Sequence, residues 1–270
     1  MDQRVTVLGA GGWIGTALVE ALKHQGRRVQ AVKRDGLAGW LDSNEPPGTV
    51  IDTIGLTADF RQRPHATVEA HVEILSRIVK RPGLFNLLFL SSTRVYSRSA
   101  ETREDTPLPC LSSDPSDLYN LSKLLGEALV LQDSRKGLKV VRLSNVVGPG
   151  QPQSTFVGAL LEEARLSNAV TIQQSPDTSK DYVHLADVVR LLPLIAEQGQ
   201  QRIYNLGSGR NTSHAQVAAW LEHQGVDVQF AAQTTAGFRF PTLKIARLAD
   251  EFVSPQEPFG QNSLNLSLLP

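Results

Sequence analysis

Residues 4–25 read Arg4-Val-Thr-Val-Leu-Gly9-Ala-Gly-Gly12-Trp-Ile-Gly15-Thr-Ala-Leu-Val-Glu-Ala-Leu-Lys-His-Gln25. The first five residues are a short, mostly apolar run, which predicts a strand. From Thr16 the spacing is helical, with Leu18, Val19 and Leu22 on one face, and Gly26 stands where a helix stops. Between strand and helix lies a glycine turn, Gly9, Gly12 and Gly15. Ile14 occupies the place where the pattern G-x-G-x-x-G would need its last glycine, so the spacing is G-x-x-G-x-x-G. Strand, glycine turn and helix form the unit that cradles a dinucleotide pyrophosphate. Glycines let backbone approach phosphate, and the helix start offers unpaired N–H groups at a positive dipole end. The turn itself (Gly9, Gly12, Trp13, Ile14 and Gly15) is therefore the expected cofactor cradle. The competing reading is an ordinary βα turn.

Outward from that unit the chain alternates strands and helices. Arg27–Lys33 reads as a second strand and Thr49–Ile54 as a third, with a turn-rich Gly36–Gly48 between them. A doubly wound sheet usually spends a strand and a helix there, so its edge strand is expected to be missing. Pro64–Lys80 reads as a helix with Val68, Val72, Leu75, Ile78 and Val79 on one face. Leu84–Leu90 and Leu138–Leu143 are nearly continuous apolar strands, as a sheet covered on both faces requires. Leu118–Asp133 is a long helix, and residues 98–116 form a polar loop. After Gly150 the alternation loosens. The expected fold is α/β: a Rossmann-type doubly wound parallel sheet over 1–150, and over 151–270 a smaller substrate-binding lobe whose parts thread back to the main sheet.

Composition narrows the function class. The 270 residues carry 27 Lys+Arg and 27 Asp+Glu, a balance that argues against nucleic acid as the main partner. Cys110 is the single cysteine, so no disulfide framework and no cysteine-built zinc site is expected, and no metal is expected. No apolar run is long enough for a bilayer. The expectation is a cytoplasmic enzyme with no membrane contact.

Cofactor choice turns on the end of the second strand. An acid about 20 residues past the glycines would accept hydrogen bonds from the ribose 2′-OH of NAD. Lys33 and Arg34 stand there instead, and two cations suit a 2′-phosphate, so NADP is favoured and NAD is the alternative. Asp35 takes the acidic role if the strand runs longer.

Tyr119 and Lys123 are four apart on a predicted helix and share a face. A tyrosine near its reference pKa of about 10 is a poor base. A neighbouring ammonium favours the phenolate, and the pair can then move a proton while a nicotinamide moves hydride. Ser92, at the end of the Leu84–Leu90 run, is placed to hold the substrate oxygen, with Ser91 and Thr93 turned away by strand alternation.

With these residues assembled, the chain resembles the extended short-chain dehydrogenase/reductase superfamily, in its epimerase/dehydratase branch. The resemblance rests on Gly9–Gly15, on Gly55-Leu-Thr57, on Ser92 four before Tyr96, on Tyr119-Asn-Leu-Ser-Lys123, on Arg142-Leu-Ser-Asn-Val-Val-Gly-Pro-Gly150, on Lys180-Asp-Tyr-Val-His184 with Asp187, and on Tyr204-Asn-Leu-Gly-Ser-Gly209. It implies Ser92, Tyr119 and Lys123 as catalytic residues, Lys123 also on the nicotinamide ribose, and Gly55, Leu56 and Thr57 along the cofactor. It implies a nucleotide-activated sugar as substrate, with Thr93, Arg94, Asn145, Lys180 and Arg239 on its side, and a homodimer through Pro64–Lys80 and Leu118–Asp133. Thr93 and Arg94 stand where the family's sugar 4,6-dehydratases carry Asp-Glu, so dehydration of that type is not expected. Lys180 replaces an arginine and offers a point charge rather than a fork. Asn145 is as much a turn cap as a substrate ligand, Asp187 as much a helix N-cap as a site residue, and His184 is expected to be structural. The reading is a 4-ketoreductase first, a 4-epimerase with tightly held NAD second, and a non-catalytic NADP-binding sensor or scaffold third.

Overall fold

The computed structural model describes residues 4–56, 59–235 and 239–259. Its centre is a six-stranded sheet, all neighbours parallel, in the order β2-β1-β3-β4-β5-β9. The strands are β1 (Val5–Leu8), β2 (Val29–Val32), β3 (Thr49–Asp52), β4 (Asn86–Ser92), β5 (Leu138–Leu143) and β9 (Ile203–Leu206). Alternation along each strand feeds two cores. Val5, Val7, Leu88, Val141 and Leu206 face one layer, with Leu18 and Leu22 of the Trp13–His24 helix and Leu191 and Ile195 of the Leu185–Gln198 helix. Leu8, Val50, Leu87, Phe89 and Val140 face the other, with Leu75, Ile78 and Val130. A parallel sheet buried on both faces explains why these strands read as unbroken apolar runs. The chain is thus a Rossmann-type α/β fold.

The edge strand is missing as the sequence suggested. Between β2 and β3 the chain makes a short helix, Leu37–Asp42, and β3 pairs directly with β1. The turn-rich reading missed that helix. Trp40 holds it down: the ring is buried, and the Arg81 guanidinium lies 4.1 Å from its centroid.

Residues 64–79 form one helical run, but not a regular one. Glu69–Glu73 is a π segment between the α-helical stretches Pro64–Val68 and Ile74–Val79. The wider turn shifts the buried face to Thr67, His71, Leu75 and Ile78, leaving Val68 and Val72 half-buried. Such π turns recur where a side chain must be re-aimed.

From Asn145 onward the chain builds two small sheets beside the main one. Asn145–Val147 (β6), Ser179–His184 (β8) and Asn211–Ser213 (β10) form the first, and Ala169–Gln174 (β7) pairs in parallel with Asp227–Thr235 (β11) in the second. Their core is Val157, Leu160, Leu161, Ile172, Tyr182 and Trp220.

Candidate active site

The site forms where β1, β3 and β4 end beneath the Asp117–Leu131 helix. The glycine turn shows which glycines the fold needs. Gly9 has φ of +76°, and a Cβ there would lie 2.8 Å from Thr53 Oγ1; a Cβ on Gly15 would lie 2.3 Å from the Gly9 carbonyl oxygen. Both are dictated by packing. Gly12 is different, since a Cβ would meet the Gly9 oxygen at 3.4 Å, an ordinary contact. Its missing side chain leaves room beside the helix start for a ligand rather than for protein. Trp13 ties this turn to the Ser144–Gly150 segment, its Nε1 donating to the Pro149 oxygen at 2.9 Å. Ile14 packs into the core.

At the tip of β2, Lys33 and Arg34 are exposed, and neither pairs with a carboxylate among the described residues. The strand ends at Val32, and the Asp35 carboxylate accepts from the Gly36 N–H in its own turn. Asp35 therefore does not extend the strand into the acidic ribose role.

Tyr119 is 5% exposed, at the floor of an open cavity of about 460 Å³ lined also by Gly12, Ser92, Arg94, Lys123 and Lys180. Ser92 caps the turn Thr93–Tyr96 by accepting from Arg94 N at 3.2 Å, and its hydroxyl stands near enough to the Tyr119 phenol to act on it. Burial pushes the Tyr119 phenol above its usual range. Ser92 and the Arg94 charge pull the other way without overcoming it. Lys123 is occupied below, where its ammonium donates to the Leu90 oxygen at 2.8 Å over the Phe89 ring. Burial brings it down to about 8, opposed by Asp52 and Glu127.

Asp52 and His71 escaped the sequence reading. Asp52 closes β3, fully buried, with one oxygen accepting from Ile54 N and the other without a partner. Burial raises it to about 6, against the pull of Lys123. The signal was an acid ending an apolar strand. His71 accepts from Leu56 N at 3.2 Å through Nε2, so its proton sits on Nδ1 and is donated to Ser122 Oγ, which donates to the Tyr119 carbonyl. Burial, then Lys123, lowers it to about 2, so it is neutral. The signal was a histidine in register with Leu75 on the apolar face. Gly55 completes this corner, with space for a Cβ 3.5 Å from His71 and 3.7 Å from Lys123. Thr57 lies outside the described residues.

Ser91 turns away from the cavity oxygen, donating to Glu127 Oε1 at 2.5 Å, and Glu127 receives the Arg142 fork at 2.7–3.2 Å. Arg142 also donates to the Tyr96 hydroxyl at 2.7 Å, and Tyr96 donates on to Asn205. This buried network carries the 98–116 loop, since Asn205 also binds Thr102 and Glu104. Thr93 sits in the turn rather than the strand and donates to the Leu143 oxygen at 3.5 Å. Asn145 lines the cavity while its amide donates to the Asp181 carbonyl at 2.8 Å. Arg239 does not converge with the others. It is exposed and pairs with Asp177 at 3.3 Å, although its neighbours Phe240 and Pro241 reach the cavity. The cap of the Leu185–Gln198 helix is His184, not Asp187, which pairs with Arg190 instead.

These features fit a dinucleotide. The glycine cradle, the open space at Gly12 and a buried ammonium with donors to spare suit pyrophosphate and ribose hydroxyls. The fold and site together define an NAD(P)-binding α/β enzyme with a serine, a tyrosine and a lysine on one cavity. The model of the NAD dependent epimerase/dehydratase family matches residues 5–207, and the chain belongs to that family. It is 25% identical over 259 residues to a dTDP-4-dehydro-6-deoxy-D-allose reductase of Streptomyces sp, covering 80% of this chain and 79% of that one. It is 27% identical over 261 residues to a dTDP-6-deoxy-L-talose 4-dehydrogenase (NAD(P)(+)) of Kitasatospora kifunensis, covering 84% and 80%. Among solved structures, a Thermus thermophilus UDP-glucose 4-epimerase in complex with NAD superposes with TM-score 0.75 at 22% identity, covering 98% of each chain.

Proposed function

We propose that this protein is a 4-ketoreductase of a nucleotide-activated sugar, working with NADP(H) in preference to NAD(H). The observation that carries this reading is Ser92, Tyr119 and Lys123 lining one cavity, with the phenol 5% exposed. The exposed Lys33 and Arg34 at the end of β2 support the reductive direction with NADPH, and a protonated phenol can deliver its proton to a carbonyl oxygen. The dinucleotide supplies the hydride. Ser92 donates to and polarises the substrate carbonyl, Tyr119 delivers the proton to the oxygen, and Lys123 holds the nicotinamide ribose. Lys180 faces the sugar diphosphate, and Lys33 and Arg34 meet the 2′-phosphate. Both curated relatives bear names that place their chemistry at a sugar 4-position, which supports this centre. The same reading gives a homodimer through the 64–79 and Asp117–Leu131 helices. Leu121 and Leu125, four apart on the latter, are 37% and 51% exposed.

The test begins with the purified protein. It is denatured, any released dinucleotide is identified by mass spectrometry, and the emptied protein is titrated with NADPH and NADH. Tighter NADPH binding and oxidation of NADPH by dTDP- or UDP-linked 4-keto sugars are expected. Tyr119→Phe is expected to lose at least about 100-fold in turnover with NADPH affinity nearly intact; retained turnover overturns the assignment. Tightly held NAD⁺ and interconversion of 4-epimers without net NADPH oxidation would give the site to the epimerase alternative.

A further inference from the structure

Asp52 carries a charge that its place at the end of β3 does not by itself explain. It is fully buried. One carboxylate oxygen accepts from Ile54 N at 3.0 Å, and the other is buried with no hydrogen-bond partner. An amide would accept the same N–H without the cost of a buried ion, so the turn after β3 does not require an acid. One cation shares its layer. Asp52 and Phe89 are partners in the parallel register of β3 and β4, so their side chains leave the same face of the sheet. The Lys123 ammonium stands 4.9 Å from the centroid of that Phe89 ring. The Leu90 carbonyl holds it there at 2.8 Å, and Lys123 is buried.

A buried ammonium gives up its proton unless negative charge holds it. Two carboxylates act on Lys123. Glu127, one turn along the same helix, is already matched: it accepts from Ser91 and receives the Arg142 fork at 2.7–3.2 Å. Asp52 has no such partner, and it opposes the burial of Lys123 more strongly than Glu127 does. It acts as charge on charge through buried protein, not through a hydrogen bond. The remaining titratable groups on the elements packed there are neutral: His71 on the π segment and the Tyr119 phenol on the helix itself. We propose that Asp52 is the counter-charge of Lys123, a positioning residue that keeps the ammonium protonated so that it can donate into the cavity. The Leu90 carbonyl takes one of the three ammonium donors and leaves the others for a ligand. The effect on cofactor binding rests on the reading above that Lys123 holds the nicotinamide ribose; the charge pairing does not.

Nuclear magnetic resonance tests the pairing directly. The side-chain resonances of Lys123, assigned by their loss in Lys123→Met, are followed through a pH titration in wild type and in Asp52→Asn. The asparagine can keep the Ile54 hydrogen bond while removing the charge. The lysine midpoint is expected to fall by at least about one pH unit in Asp52→Asn. By reciprocity, the Asp52 carboxyl is expected to titrate at higher pH in Lys123→Met than in wild type. That second titration decides the matter if Asp52→Asn does not fold. A midpoint that stays in place in either folded variant overturns the proposal. For NADPH, the Kd of Asp52→Asn relative to wild type is expected to be near one at about pH 6 and to climb to about tenfold by about pH 9, as the lysine loses its proton earlier. A merely structural defect would instead weaken binding alike at every pH and leave the lysine midpoint unmoved. Shifted midpoints with a Kd ratio near one throughout would leave the pairing standing and take Lys123 off the ribose.

Discussion

His71 shows how one buried side chain can organise a site without facing the cavity. Its two nitrogens join the Leu56 backbone to Ser122, and Ser122 passes the hydrogen bond to the helix turn carrying Tyr119. Its ring also meets Tyr119 edge-on at 5.3 Å between centroids. The folded chain keeps this imidazole neutral down to about pH 2, while in the unfolded chain it protonates below about 6.5. A base whose folded pKa is lowered gives stability that is present above the unfolded value and is lost progressively as pH falls from about 6.5. The stability advantage of wild type over His71→Gln is therefore expected to shrink between pH 7 and pH 5 in urea titrations. An advantage that is constant or grows would refute the neutral assignment. Imidazole resonances of His71 that do not titrate from pH 8 to pH 5 are the matching spectroscopic outcome.

At the scale of elements, the placement of Tyr119 and Lys123 depends on how closely the Asp117–Leu131 helix lies on β4 and on the 64–79 run. Gly126 sets that distance. A Cβ there would stand 2.7 Å from the Phe89 ring and 2.9 Å from the His71 carbonyl. Neither neighbour is the free end of a flexible chain, so the helix must lift. Gly126→Ala is expected to cost about 1–3 kcal/mol of stability and to weaken NADPH binding by displacing Lys123. Denaturant midpoints and a cofactor titration measure both. A variant as stable as wild type would show that the helix has slack. The π segment belongs to the same contact, because its wide turn brings His71 and its carbonyl to the Gly126 face. A sequence pattern at 3.6-residue spacing passes over such a segment, which is why Val68 and Val72 looked more buried than they are.

For the whole molecule, the sheet and its two cores explain the cavity's position. Strands β1, β3 and β4 all end at one edge, and ligands of open parallel sheets gather beyond such ends. β9 and the Leu185–Gln198 helix come from beyond Gly150 yet complete the sheet and one of its layers. The proposed dimer belongs to this scale. Leu121→Glu with Leu125→Glu places two charges on the exposed apolar stripe, and sedimentation is expected to shift from dimer to monomer with NADPH binding preserved. A wild-type protein that sediments as a monomer, or a dimer indifferent to both charges, removes that interface.

Local order in the chain was enough to determine the strand–glycine–helix unit, the parallel sheet, the missing edge strand and the spacing of Ser92, Tyr119 and Lys123. Each is written in short-range periodicity or in the steric demands of single residues such as Gly9 and Gly15. Only the tertiary structure decided what those groups experience. Asp52 and Lys123 come within reach of each other's charge through a strand pairing and a helix packing far apart in sequence, and burial, opposed by Ser92 and Arg94, raises the Tyr119 phenol. Arg239 is spent on Asp177, while Arg94 keeps a buried Nε with no hydrogen-bond partner among the described residues. Burial and charge pairing are sums over distant neighbours, and no window of sequence contains them.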